Sequence, residues 1–146
     1  MRLGDLPCLG PDLPVLSSRA VEALRDLLEP AGELLEIHPP PGVKGRFHVF
    51  NVTRVIDAFD RAKCDADWVE GGGMWDFRRL AFRPQAIAGI PIFRTQGLVG
   101  TLMVQTPFVE RVTQAGLLGF RFIPHWPEPG PEIFPNPPVP KRKRSS

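Results

Sequence analysis

Asp57, Asp60, Asp65 and Asp67 put four carboxylates within eleven residues. Such a group suits three kinds of chemistry. It can hold a cation, supply an acid/base pair, or present a negative patch to a basic partner. The spacing is not that of a calcium-binding loop, which weakens the metal reading. Solvated surface or turn-capping aspartates is the commonplace alternative. Trp68 and Trp75 follow closely, and aromatic residues are favoured anchors at protein interfaces. The same two tryptophans also fit an ordinary core. The predicted partner-binding set is therefore Asp57, Asp60, Asp65, Asp67, Trp68 and Trp75. The rival is a small hydrolase-like enzyme or metal-binding protein that uses the Asp57–Asp67 cluster.

The remaining reactive side chains are scattered. His38, His48 and His125 are isolated, and neither Cys8 nor Cys64 has a partner at zinc-site spacing. Cys64 lacks a local nucleophile signature and reads as a half-buried structural thiol. Gly71, Gly72 and Gly73 lack the Gly-Lys-Ser/Thr ending of a phosphate-cradling loop and read as a turn. No catalytic residue, metal ligand set or cofactor is expected.

These residues must be positioned by the elements around them. Residues 46–60 begin as a strand, with Phe47, Val49, Phe50 and Val52 apolar on both faces, which places it inside a sheet with something packed over it. Residues 17–29 are the best helix. Ser17 or Ser18 caps it, Val21, Leu24, Leu27 and Leu28 share one face, and Pro30 ends it. Residues 33–38 suit a short strand with Leu35 and Ile37 on one face. Residues 75–83, 99–105 and 119–123 are further strand candidates, and 61–67 reads as a polar connection. Thr106-Pro107 starts a second helix, with Thr106 as cap and Phe108, Val109 and Val112 as its stripe, ending near Gly116. Residues 14–39 and 102–124 thus echo each other as cap, helix, glycine turn and strand, a pattern of possible duplication. The fold class is α+β: a mainly antiparallel sheet, two short amphipathic helices and an extended proline-rich C-terminal tail.

The chain's 146 residues suit one domain. Residues 1–14 read as an entry loop, 15–123 as the domain, and 124–146 as a proline-rich basic tail, largely extended or disordered. Eight prolines within 124–140 favour an extended backbone. Trp126, Ile133 and Phe134 are the residues able to pin part of it down. Lys141, Arg142, Lys143 and Arg144 supply four of the 18 basic residues, so residues 1–140 carry 14 basic against 16 acidic. A nucleic-acid-binding domain keeps its positive charge on the fold itself, so a nucleic-acid partner is not expected. No apolar run approaches the roughly 20 residues of a membrane span, and no signal-peptide pattern is present. Two cysteines fit a reducing compartment, so the expected location is cytoplasmic.

The order of these features resembles a known family. PDLPVLSSRAVEALRDLL, the strand ELLEIHP, HVFNVTRVIDAFDRAKC, IFRTQG, TLMVQ entering a capped helix, and AGLLGFRFIP follow one another over about residues 11–124. Together they resemble the bacterial polymorphic-toxin immunity family of the myxobacterial type, long catalogued as a domain of unknown function. Cys64 stands where that family usually has serine. The resemblance implies a non-catalytic protein whose partner is a cognate toxin, bound and neutralised by protein–protein contact. Charge-complementary surfaces are common in such pairs.

Overall fold

The computed structural model describes residues 13–127, 129–133 and 135–136. Near its start the Ser17 hydroxyl accepts the Ala20 amide at 3.1 Å, which satisfies one of the free donors at a helix start. Helix α1 (Ser18–Leu28) follows and buries Ala20, Val21, Leu24 and Leu28. Pro30 sits in a short 3-10 turn, Glu29–Ala31, that delivers the chain to the next strand.

Strands β1 (Val15–Ser17), β2 (Gly32–Ile37) and β3 (Phe47–Val52) form an antiparallel sheet in the order β1-β3-β2. The apolar stretch at 47–52 is its centre. Phe50 and Val52 join the core beneath α1. Phe47 and Val49 face the other way and form a smaller cluster with Val15, Ile37 and Val43. Both faces of the strand are thus covered, as its apolar pattern requires. Leu35 shares a face with Ile37 but stays 53% exposed.

The strands divide into three small sheets rather than one. β4 (Val55–Ile56) pairs in parallel with β7 (Ile92–Thr95), which pairs antiparallel with β8 (Met103–Val104). β5 (Asp65–Trp68) and β6 (Met74–Arg79) form a separate antiparallel hairpin. Between them and β7 lies a four-residue helix, α2 (Pro84–Ile87). α3 (Thr106–Gln114) packs beside α1 and buries Phe108 and Val112. With mostly antiparallel pairing and two helices longer than one turn, the chain is α+β.

Several elements differ from expectation for local reasons. The strand expected over 75–83 stops at Arg79 because Leu80, Ala81 and Phe82 turn into the core, where Phe82 bridges to Phe59. The polar connection at 61–67 hides the start of β5. The strand expected over 99–105 shrinks to Met103–Val104, since residues 98–101 turn back on themselves through a Thr101 amide to Leu98 carbonyl bond of 3.2 Å. Thr106 is the first residue of α3 rather than its cap; Gln105 stands at the cap with no side-chain bond to the helix. The echo between the two helical units also ends early, because residues 119–123 pair only at Phe122, with Ile133.

Beyond Pro124 the chain runs back over the domain. Trp126 meets Phe82 edge-on at 6.0 Å, and His125 meets Phe77 at 5.3 Å. The Asn136 amide donates to the carbonyls of Val112 (3.1 Å) and Leu117 (3.0 Å) at the end of α3. Phe134 and Lys141–Arg144 lie outside the described residues. Among the described residues no helix is long and apolar enough to cross a membrane.

Candidate protein interface on the β5–β6 hairpin

Asp65-Ala66-Asp67-Trp68 alternates polar and apolar residues, and Met74–Arg79 folds back on it across a glycine turn. Gly71 and Gly72 take φ of +96° and +97°, a region that side-chain-bearing residues avoid. Trp68, Met74 and Phe77 pack against a second core built on Phe59, Leu80, Phe82, Ile87 and Phe93. The Trp68 indole meets Phe59 at 5.9 Å, and the Arg61 guanidinium lies 4.2 Å above its ring. Trp68 is therefore half core and half surface. Trp75 is different: it is 80% exposed, the most exposed large apolar side chain among the described residues. The core reading of Trp75 fails because the register shift between Asp67 and Trp68 leaves Trp75 as an extra, unopposed residue between Met74 and Asp76, where it stays exposed.

The four aspartates do not converge on one another. Asp65 and Asp67 both grip Arg78 from across the hairpin. Arg78 Nε donates to Asp65 Oδ1 at 2.8 Å, and its two terminal nitrogens donate to Asp67 at 3.2 and 3.3 Å. The bond to Arg78 holds the Asp65 carboxyl below the usual carboxylate range, and the two carboxylates push the guanidinium up. Asp57 lies beyond β4, with Oδ2 3.6 Å from Arg83. Asp60 is a turn residue. Its carbonyl accepts the Lys63 and Cys64 amides at 3.1 and 3.0 Å, and its carboxylate stands 3.8 Å from Lys63. Every carboxylate of the set thus has a cation within 4 Å. Residues 54–83 contain six basic and six acidic side chains, so the stretch is balanced rather than negative.

Arg78 and Arg61 were not singled out from the sequence, yet they organise the hairpin's surface. The glycine turn marks the hairpin, but two register shifts that no local pattern signals set Asp67 against Asp76 and Ala66 against Phe77 and bring Arg78 beside the aspartates.

The other reactive groups are occupied or dispersed. Cys64 Sγ donates to the Ala81 carbonyl at 3.3 Å and accepts the Ala81 amide at 3.2 Å. Burial pushes its thiol up, the wrong direction for a nucleophile. Cys8 lies outside the described residues. Among the described residues no group of three or more His, Cys, Asp or Glu is placed to hold a metal. A cleft of about 360 Å³ opens between the end of α1 and the start of α3, beside Arg54 and Gln105, and none of the four aspartates lines it. Among the described residues the four carboxylates share no single site, and this cleft is not theirs.

A family model described as "Immunity protein family (Imm11)" matches residues 37–125. The chain belongs to that immunity protein family. The match runs from the end of β2 to His125, so it includes the whole hairpin and both of its tryptophans, while α1 lies ahead of it. No curated protein and no solved structure matches the chain. The family resemblance carried by HVFNVTRVIDAFDRAKC and IFRTQG is borne out, and both runs lie inside the matched stretch of this Imm11 chain.

Proposed function

We propose that this Imm11 protein binds a cognate bacterial toxin and neutralises it by direct contact, with no chemical step of its own. The observation that carries the reading is the family match over residues 37–125. The hairpin is the proposed contact surface. Trp75 offers a large, nearly bare indole, held on a two-stranded scaffold whose inner face is anchored in the second core. A rigid aromatic of this kind loses little entropy on docking and is a frequent hot spot. The Asp65–Arg78–Asp67 clamp on the same hairpin presents both signs of charge, which suits a partner surface of mixed polarity. The cytoplasm is the proposed site of action.

The test is capture of the tagged protein's partners from a lysate of its own source, with mass spectrometry to identify them. A stoichiometric partner carrying a toxin domain supports the reading. A co-purifying small molecule or metal with no such protein overturns it. With the toxin in hand, Trp75→Ala should weaken binding by about tenfold or more. Its melting temperature should stay within experimental error of the parent, because an exposed side chain contributes little to stability. Unchanged affinity would move the interface away from the hairpin.

A further inference from the structure

The β1-β3-β2 sheet ends on β2, and β2 is an open edge. All six of its residues, Gly32–Ile37, pair with β3 on one side without a register shift. Among the described residues no strand pairs with its other side, and no loop backbone bonds to residues 33–37. Folded proteins blunt such edges with proline, charged side chains, a bulge or a covering loop. β2 has neither proline nor a bulge; its exposed residues are Leu35 and the carboxylates Glu33 and Glu36, which repel acidic strands and leave the edge open to a basic one. The hairpin, by contrast, is interrupted by two register shifts, and β4 and β8 are only two residues long.

We infer that β2 accepts an extended segment of a partner protein as a fourth strand of this sheet, with a cationic side chain opposite Glu33 and an apolar one two residues away opposite Leu35. The side chains decide the chemistry. Glu33 and Leu35 share one face of the strand. Leu35 continues an apolar row across the sheet through Val49 to Val15, and an apolar residue on the added strand would extend that row over the half-exposed leucine. Glu33 has no ion-pair partner among the described residues, whereas Glu36 is committed to Arg46 by bonds of 3.0 and 3.2 Å. A second copy is the poorer occupant. Two β2 strands meeting edge to edge antiparallel oppose residues of the same face, as in Leu35 against Leu35 with Glu33 against Ile37; β2 holds no cation, so a second copy leaves the Glu33 carboxylate without a counter-charge. Main-chain bonds would supply affinity and the two side chains selectivity. This edge is separate from the hairpin and does not depend on the role given to Trp75.

Two peptides, Thr-Lys-Thr-Val-Thr-Val-Thr and its reversed sequence, test the inference on the full-length protein. Each is compared with a version N-methylated at alternate amides, which keeps the side chains but removes donors along one edge. The readouts are calorimetric titration and amide hydrogen exchange. One of the two orders should slow exchange at the β2 amides that face away from β3 by about tenfold at saturation, and its methylated version should not. Glu33→Lys should weaken binding by about tenfold, and replacing the peptide lysine with glutamate should restore it. Trp75→Ala should bind the peptide like the parent. The inference is overturned if neither order changes exchange, or if the methylated peptide binds equally well. It is also overturned if the β2 amides that face away from β3 are protected in the protein alone at every concentration, which would mean that another segment of the chain fills the edge. Protection that grows with protein concentration would assign the edge to a second copy and equally overturn it.

Discussion

Three carboxyls, each bonded to an arginine, set how the protein responds to acid. Asp26 is held down by its bonds to Arg111, Glu36 by Arg46, and Asp65 by Arg78. Each is harder to protonate in the folded chain than in the unfolded one. The unfolded state therefore takes up protons first as pH falls, and the stabilisation present at neutral pH is lost from about pH 4 downward. Thermal melts across the acid range should show the midpoint dropping there. The triple variant D26N/E36Q/D65N should show a shallower drop from a lower starting point, and an identical profile would exclude these pairs as its source. The aspartates of the hairpin carry a related consequence. An isolated negative patch would steer a basic partner over long range, as four clustered carboxylates suggest. With six cations interleaved among six anions over residues 54–83, the far field is small. Association with the toxin should change less than about tenfold between low and physiological salt, as read by stopped-flow mixing. A steep salt slope would show that the pairs open on approach.

At the level of elements, β2 is secured to β3 by a residue with no side chain. A Cβ placed on Gly32 would fall 2.1 Å from the Asn51 carbonyl oxygen and 2.8 Å from the Val52 Cα. Both obstacles are backbone, so neither can swing aside. Gly32→Ala should cost about 2 kcal/mol or more, seen as a lowered denaturant midpoint; a cost near zero would mean that the β2–β3 pairing shifts to make room. This requirement was not legible in the sequence, where Gly32 reads only as a reversal after Pro30. What was legible were elements whose pattern and punctuation agree. Ser17 with the Val21–Leu24–Leu28 stripe specified α1, and Thr106-Pro107 with Phe108 and Val112 specified α3 to within one residue at its cap. The central strand was legible because both its faces are apolar. β5 was not, because Asp65 and Asp67 suppress strand propensity locally, and their cost is offset by Arg78 on the partner strand, eleven and thirteen residues away. For the candidate site, the identities of Trp68 and Trp75 were readable but not their different fates. Those depend on the register shift between Asp67 and Trp68, which no local pattern signals.

At the level of the whole molecule, the two cores share a strand. Ile92 and Phe93 are neighbours on β7, yet Ile92 belongs to the core under α1 and Phe93 to the core under the hairpin. Damage to one core should therefore be felt by the other. Leu24→Ala and Phe93→Ala should each cost about 2–5 kcal/mol and each still give one cooperative transition, with tryptophan fluorescence and far-ultraviolet circular dichroism coincident. Separated transitions in either variant would show that the cores unfold independently. The pairing of α1 with α3 has a further consequence. Arg111 bonds Asp26 at 2.7 Å and the Ala23 carbonyl at 3.1 Å, and Arg19 donates to the carbonyls of Ala115 and Gly116. The first helix is thus completed by the last. During synthesis at about 5–20 residues per second, α1 emerges from the ribosome with its apolar stripe uncovered and waits several seconds or more for its mate. That stripe is covered only once residues 106–114 have also left the ribosome, so α1 is made early and packs late.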